Sequence, residues 1–292
     1  MLLPVALLSA LPRQDSLGSR FPRTLPPQCV RTDGVGRKVK VPEFPRRIVS
    51  LAPSVTETLF ALGSGDRVVG VTQFCDYPPE ARTRPRVGGM VNPSWEAILA
   101  LRPDLLVATT SGNDRALVTQ SDTLHLPLFF LDARDIKSML ESIRMLGELV
   151  GTETEGRRLE QRLRARISQL NQADERPRPT VLFLVWGSPI VVPGRGSFLD
   201  DVLRRAGCAS ITSDAPPGWP TYDLEAILVR KPDWIIASRQ NEVWLRSLRE
   251  KPGWREVKAV REGRVGTVAD VIERSCPRAL DAIQELRRLV RE

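Results

Sequence analysis

The sequence has little of what catalysis, metal binding or membrane insertion requires. It holds one histidine, His125, and four widely spaced cysteines with no Cys-x-x-Cys pair. A zinc site and a Ser-His-Asp triad are both poorly supported, and we interpret His125, which precedes an apolar run, as structural. No stretch approaches the roughly 20 apolar residues of a transmembrane helix. No complete phosphate-binding glycine motif and no Gly-x-Ser-x-Gly motif occurs, which argues against a nucleotide-binding or hydrolase-type α/β enzyme.

Aromatic residues are also scarce, at 5%, and the basic residues are dispersed. Lys plus Arg is 43 and Asp plus Glu is 35, which gives a formal net charge of +8. No compact basic run is interleaved with aromatic residues, as nucleic-acid sites require. We therefore expect a solvated basic surface and no nucleic-acid partner.

The beginning of the chain resembles a secretory signal. Its first ten residues are apolar and end in Leu-Ser-Ala, but the first basic residue is Arg13, so the positively charged leading segment is missing. We interpret residues 1–31 as a signal-like or disordered lead-in, atypical or truncated, and expect export to the periplasm or cell envelope. Cys208 and Cys276 could form a disulfide after export if their geometry allows it.

Short apolar runs that alternate with helical segments predict an α/β fold. The first unit is a strand at 48–51, a helix that ends near Gly63, and a strand at 68–71. We predict an N-terminal α/β lobe over 32–133 and a C-terminal α/β lobe over 175–292. Two such lobes on one connector would leave a cleft between them, in which a ligand could bind.

A single long helix is predicted to join the lobes over residues 134–174. Apolar residues recur there at helical spacing. Gly147, Gly151 and Gly156 weaken the middle of this segment, so two helices are the alternative.

An internal repeat supports two similar lobes. Residues 223–238 align without gaps on residues 94–109, so that Glu96 matches Glu225, at an offset of 225 − 96 = 129. Both segments read as a short helix, a Pro-Asp pair and a buried strand. A weaker echo relates residues 58–63 to 202–207, each a helix that ends at glycine.

Aromatic residues on irregular segments are the candidates for ligand stacking in the cleft. Parallel sheets bind ligands at the carboxyl ends of their strands, and clefts between domains are favoured sites. Tyr77 follows the strand at 68–71, Trp186 follows an apolar strand at 181–185, and Trp219 lies in a Pro-rich loop. Aromatic rings in such positions can stack on a large flat ligand, although packing of loops on the core is the alternative.

These motifs together resemble a known family. Arg-Ile-Val-Ser-Leu-Ala-Pro-Ser-Val-Thr-Glu from Arg47, Asp-Tyr-Pro-Pro-Glu-Ala from Asp76, Val-Gly-Gly-Met-Val-Asn-Pro from Val87, and both Glu-Ala-Ile-Leu…Pro-Asp blocks carry the resemblance. They are similar to the periplasmic cobalamin-, siderophore- and haem-binding proteins of ABC importers, and most similar to the cobalamin-binding branch. The resemblance covers roughly residues 32–290. It implies an α/β fold of two Rossmann-like lobes with the ligand held between them, and a class III substrate-binding protein, not an enzyme.

The resemblance also implies roles for individual residues. Glu96 and Glu225 match the family's docking glutamates, which pair with arginines of the membrane permease. Capping of the first helical turn is the alternative for both.

Further matches concern the cleft. Tyr77 and Trp219 match aromatic residues of the cobalamin branch, and Asp270 and Arg274 match its charged pair. The last two lie four residues apart and could share a helical face, with a surface ion pair as the alternative. Met90 stands where the branch has an aromatic residue, six positions before Glu96, and methionine can also pack on a corrin ring.

The resemblance leaves the ligand open. Cobalamin or a related metal chelate is the expected cargo, and a ferric siderophore or haem is the alternative, with Tyr77 and Met90 as possible haem ligands. The chelate would be cargo, so no resident cofactor and no metal site are expected. The expected partner is an ABC permease.

Overall fold

Short apolar runs separated by helices build two parallel sheets. The computed structural model of the protein describes residues 27–170 and 177–291. The first lobe contains β1 (Gln28–Thr32), β2 (Lys38–Pro42), β3 (Ile48–Ser50), α1 (Pro53–Ala61), β4 (Val68–Val71), α2 (Trp95–Ala100), β5 (Leu105–Thr109), α3 (Leu117–Thr123), β6 (Leu128–Leu131) and α4 (Ile136–Leu149).

The connecting helix and the second lobe follow. They contain α5 (Glu153–Leu170), β7 (Thr180–Leu184), β8 (Trp186–Gly187), β9 (Ile190–Val191), α6 (Phe198–Arg205), β10 (Ala209–Ser210), α7 (Leu224–Arg230), β11 (Trp234–Ser238), α8 (Glu242–Arg246), α9 (Lys258–Arg261), β12 (Val265–Val268) and α10 (Ala279–Leu289).

The two main sheets have the same topology. The first has strand order β4-β3-β5-β6 and the second β10-β7-β11-β12, and all their strand pairs are parallel. The strand that ends each repeat, β5 or β11, holds the third position of its sheet. The predicted fold class, α/β with two Rossmann-like lobes, is therefore confirmed.

The repeat is preserved down to the backbone. Arg102 and Lys231, which are equivalent at the offset of 129, both adopt φ of 46° where their helices end. The following aspartates, Asp104 and Asp233, each accept a backbone N–H at the start of the neighbouring strand, from Arg47 at 2.9 Å and Thr180 at 2.9 Å respectively. The Pro-Asp pair therefore ends one helix and fastens two adjacent strands in each lobe.

One apolar core lies between the sheets and joins the lobes. A single cluster of buried side chains contains Ile48 and Leu105 of the first sheet, Phe183 and Ile236 of the second, and residues of α1, α4, α5, α6 and α10. Alternate residues of the strands point to the opposite faces, as the pleat requires. Those faces pack into two further clusters, one under α2 and α3 and the other under α7, α8 and α9.

The single helix predicted over residues 134–174 is corrected to two helices, α4 and α5. α4 ends at Leu149, and Gly151 adopts φ of 69°, a conformation that L-residues rarely adopt. A side chain at Gly147 would lie 3.2 Å from the Cα of Gly156, so glycine allows α5 to cross close to α4. Residues 171–174 of the predicted segment lie outside the described residues.

The predicted lead-in over residues 1–31 is also corrected at its end. Residues 28–31 belong to β1, which pairs antiparallel with β2. Buried Asp33 stabilises this hairpin, because it accepts hydrogen bonds from the backbone and side chain of Arg37, whose Nη2 also donates to the carbonyl of Leu128. The hairpin therefore belongs to the first lobe. The signal-like residues 1–10 lie outside the described part of the chain.

Asp233 offers a test of the repeat's structural role. Burial alone would raise the pKa of Asp233, but hydrogen bonds from Lys258 and Thr180 lower it to about 2. A depressed pKa stabilises the fold above the pKa of the unfolded chain, and this contribution is lost as the pH falls from about 4 towards 2.

We expect Asp233→Asn to lower the free energy of unfolding by about 1–2 kcal/mol at pH 7. The variant should also lose the component of acid sensitivity between pH 4 and 2. Urea unfolding as a function of pH measures both. Asp66→Asn is the control, because Asp66 is fully exposed and lies 3.8 Å from its nearest cation. Equal stability of the two variants would contradict this role for Asp233.

Candidate functional site

The predicted ligand aromatics lie on segments that follow strand ends. Tyr77, Trp186 and Trp219 are 41%, 58% and 45% exposed. Tyr77 follows β4 in the first lobe, whereas Trp186 and Trp219 follow β7 and β10 in the second. Large aromatic side chains with this much exposure are not part of the core, so packing on the core does not account for them.

Backbone hydrogen bonds connect the segments that carry the two exposed tryptophans of the second lobe, Trp186 and Trp219. Trp186 pairs with Val191 in the β8–β9 hairpin, and Val191 forms a bridge with Thr221. The amide of Val192 donates to the carbonyl of Pro220 at 3.1 Å, directly after Trp219. Trp186 and Trp219 therefore lie on adjacent segments of the second lobe, and these two segments with their exposed tryptophans are termed the aromatic wall.

The wall is tied to its own lobe. The indole Nε1 of Trp186 donates to the carbonyl of Ser188 at 2.9 Å, which restrains the ring. A side chain at Gly187 would lie 2.0 Å from the ring of Trp244, so only glycine lets the hairpin approach α8 this closely. Asn241 also donates to the carbonyl of Val185 at 3.0 Å.

Tyr77 is held by an arginine that the sequence analysis did not identify. The guanidinium of Arg278, at the start of α10, lies 3.5 Å from the centre of the Tyr77 ring. Its Nε donates to the carboxylate of Glu57 at 2.7 Å. Arg278 belongs to the second lobe and Tyr77 to the first, so the stacking contact crosses between the lobes and fixes the ring.

Phe74 is a second residue that the sequence analysis missed. It lies between β4 and Tyr77 and is about half exposed. Its position on the loop that carries Tyr77 was the available signal, since both aromatic residues follow the same strand. Phe74 extends the exposed aromatic surface of the first lobe.

A network of buried charges joins the lobes beside Tyr77. The buried carboxylate of Glu57, on α1, accepts hydrogen bonds from Arg274 at 3.0 Å and from Arg278 at 2.7 Å. Arg274 also donates to Asp76 at 2.6 Å. Each arginine of the second lobe is thus neutralised by a carboxylate of the first, as burial of a charge requires.

The pKa values of these groups reflect mutual stabilisation. Burial alone would lower the pKa of Arg274, but its hydrogen bonds to Asp76 and Glu57 raise it above the usual value. Burial would raise the pKa of Asp76, but Arg274 holds it below the ordinary range. Arg274 and Asp76 therefore both stay charged at physiological pH.

The predicted pairing of Asp270 with Arg274 is corrected. Residues 270–273 form a 3-10 helix and Arg274 is extended, at φ −106° and ψ 125°, so the two side chains do not share an α-helical face. Asp270 instead accepts the amide of Gln240 at 2.9 Å. Arg274 contacts Glu57 and Asp76 across the lobe interface.

Glu273, between these two residues, is an acid that titrates near neutrality. Burial raises its pKa to about 7. Its Oε1 atom is buried without a hydrogen-bond partner in the described structure, whereas Oε2 lies 3.5 Å from the side-chain amide of Gln240. It is a third site residue that the sequence analysis did not identify.

Met90 packs within the first lobe. Its methyl group lies 2.3 Å from where a side-chain carbon of Gly112 would be, so the thioether rests on that glycine. The side-chain amide of Asn113 donates hydrogen bonds to the backbone carbonyls of Met90 and Leu51, which fixes the local backbone. Met90 is half-buried, and its contact with ligand remains a prediction.

The two predicted docking glutamates lie at equivalent positions. Glu96 and Glu225 are both exposed and both lie in the first turn of their helices, α2 and α7. Within residues 27–170 and 177–291, neither carboxylate forms an ion pair or hydrogen bond. At the N-cap before α2, the side chain of Ser94 accepts the amide of Ala97, so Glu96 is not needed as the cap.

The remaining polar groups give little support for catalysis. All four cysteines are free, so the possible Cys208–Cys276 disulfide is not formed, and burial raises the pKa of Cys208 to about 12. Where the chain is described, no group of three or more His, Cys, Asp or Glu side chains is placed to hold a metal ion. No helix in the same residues has both the length and the apolar character to span a membrane.

Comparison with known proteins decides the family. A family model described as "Periplasmic binding protein" matches residues 48–270. The chain belongs to this family.

Proteins that are similar in sequence or in structure have names that refer to transport or to ligand binding. A Bacillus subtilis (strain 168) protein, an uncharacterized ABC transporter substrate-binding lipoprotein YvrC, is 31% identical over 266 residues, 87% of this chain and 82% of the relative. The periplasmic vitamin B12 binding protein BtuF of Vibrio cholerae has a TM-score of 0.75 and 26% identity, over 85% of this chain and 97% of that chain. The periplasmic heme-binding protein RhuT from Roseiflexus sp. RS-1 has a TM-score of 0.76 and 27% identity, over 84% and 97%.

This periplasmic binding protein is therefore a substrate-binding protein of the ABC-importer class and not an enzyme. Members of this class act outside the cytoplasm and deliver their substrate to a membrane permease. The predicted family and the predicted absence of enzymatic activity are confirmed.

The charge network yields a stability test. We expect Glu57→Gln to lower the free energy of unfolding by about 2–3 kcal/mol, because two largely buried guanidinium groups lose their shared carboxylate. Chemical denaturation measures the change. Glu242→Gln removes an exposed pair with Arg246 and should cost at most about 0.5 kcal/mol. Similar losses in the two variants would contradict a central role for Glu57.

Proposed function

We propose that this protein captures cobalamin, or a closely related corrinoid, between its lobes and delivers it to an ABC permease. The observation that carries the proposal is the set of exposed aromatic side chains at the strand ends of both lobes. Tyr77 represents the first lobe, and Trp186 and Trp219 the second. Rigid aromatic rings supply large contact area to a flat macrocycle at low entropic cost.

A polar cluster after the strand ends of the second lobe suits the amide-rich periphery of a corrinoid. Asp270, Glu273 and Gln240 form a hydrogen-bonded cluster after β11 and β12. Glu273, with a pKa of about 7, can donate or accept a hydrogen bond depending on its protonation. In this proposal the metal enters as part of the cargo, and the protein has no resident cofactor.

The similarity to vitamin B12-binding proteins supports the same assignment. The V. cholerae protein matches over 85% of this chain, and its name states its ligand. The similarity to a haem-binding protein is equally extensive, so similarity alone does not choose between the two ligands.

Haem, or a ferric siderophore, is the second candidate ligand. Tyr77 favours haem, since a phenol beside a guanidinium is suited to binding ferric iron, and Arg278 lies against its ring. Neutral imidazole is a common haem ligand, but the chain's only histidine, His125, lies in an exposed turn before β6. We therefore place the corrinoid first.

Calorimetric titration with cyanocobalamin, haemin and a ferric siderophore tests the ligand. We expect saturable binding of cyanocobalamin, and Trp219→Ala should weaken it about three- to tenfold through lost stacking. Phe44→Ala is the control, because Phe44 is equally apolar and exposed but lies beside Gly151. Saturable binding of haemin alone would reassign the ligand, and binding of none of the three would refute the proposal.

Docking is tested separately from capture. In the proposal, Glu96 and Glu225 pair with arginines of the permease, and two separated charges fix the orientation of the complex. We expect Glu96→Ala with Glu225→Ala to leave the affinity for cyanocobalamin unchanged and to abolish its uptake. Glu160→Ala is a suitable control, because Glu160 pairs with Arg164 within α5. Normal uptake by the double variant would show that these glutamates do not dock.

A further inference from the structure

We infer that each permease contact is a carboxylate flanked by exposed apolar side chains, Leu99 beside Glu96 and Val229 beside Glu225. The inference rests on the proposed function, since it refines the docking surface. It assigns to the partner two acceptor sites, each with an arginine next to an apolar recess.

Ten large apolar side chains are exposed in the described structure, and seven of them lie at the candidate ligand cleft or at the helices that carry the two glutamates. The other three are Val30, Phe44 and Val243. Four of the seven, Phe74, Tyr77, Trp186 and Trp219, belong to the candidate ligand cleft. The remaining three of the seven, Val91, Leu99 and Val229, lie on or next to the helices that carry the glutamates. Leu99 is 43% exposed and Val229 79% exposed.

Helical spacing places each apolar side chain beside its glutamate. Leu99 follows Glu96 by three residues and Val229 follows Glu225 by four, and residues three or four apart lie on the same helix face. Ile98 and Ile227, equivalent in the repeat, are fully buried and anchor the opposite faces. The carboxylate and its apolar neighbour therefore point outward together in both lobes.

The charges of these surfaces call for a partner. Some glutamates on helices, such as Glu160 and Glu242, pair with an arginine four residues away, but Glu96 and Glu225 have no such partner among residues 27–170 and 177–291. An arginine supplied by another protein would complete the pair. Apolar groups around the pair would exclude water, and the lower local dielectric strengthens a charge pair that is fully desolvated.

The duplication defines the geometry of the partner. Each lobe carries one exposed apolar side chain beside its glutamate, three residues later in the first lobe and four residues later in the second, on helices that precede the third strand of equivalent sheets. A partner that meets both surfaces at once must present two similar sites, as two like subunits around an approximate two-fold axis would. A single-site partner could satisfy only one of the two carboxylates.

Site-specific photo-crosslinking in cells tests the surface directly. A benzophenone amino acid is placed at position 99, at position 229 or, as the control, at position 30 in the β1–β2 hairpin, where Val30 is similarly exposed. We expect crosslinks from positions 99 and 229 to the membrane-spanning subunit of an ABC importer, identified by mass spectrometry. Absence of that subunit from both crosslinks, or equal crosslinking from position 30, overturns the inference.

A functional test separates the inference from the proposed function. We expect Leu99→Ser with Val229→Ser to bind cyanocobalamin with unchanged affinity but to reduce its uptake at least about tenfold. Val30→Ser should leave uptake unchanged. If the serine variant transports normally while the Glu96→Ala, Glu225→Ala variant does not, the apolar contribution is refuted and docking through the glutamates stands. If both transport normally, the docking proposal itself fails.

Discussion

The apolar core between the two sheets is the constraint on which the remaining structure depends. Side chains from both sheets and from α1, α4, α6 and α10 form one cluster, so neither lobe has a complete core without the other. Each large apolar side chain buried there contributes about 1.5–3 kcal/mol relative to exposure. Wide separation of the lobes would expose this surface, so the shared core opposes large changes in the width of the cleft.

Two buried carboxylates connect this core to the polar cleft. In the weaker repeat, at an offset of 202 − 58 = 144, Asp201 of α6 is equivalent to Glu57 of α1. Glu57 contacts Arg278 at the start of α10, and Asp201 accepts the amide of Ile136 at the start of α4 at 2.9 Å. In both cases the first helix of one lobe is bonded to the helix that follows the fourth strand of the other lobe's sheet. The bond between Arg278 and Glu57 also positions Tyr77.

Local patterns in the sequence were sufficient for the sheets and the repeat, because strand hydrophobicity and helix stop signals act over a few residues. Contacts between distant residues were not predictable in this way. Arg278 stacks on Tyr77 about 200 residues away, and the break at Gly151 depends on a close helix crossing. The assumed helix through Asp270 failed because the backbone there is tighter than an α-helix.

The shared core has a consequence for competition among copies of the protein. If the lobes barely move, Glu96 and Glu225 keep the same separation whether the cleft is filled or empty. Unloaded molecules then occupy the transporter as readily as loaded ones, and they slow import when they are in excess. The transporter would then have to distinguish loaded from unloaded molecules after they bind. It would do so through contact with the cargo at the mouth of the cleft rather than through the shape of the binding protein.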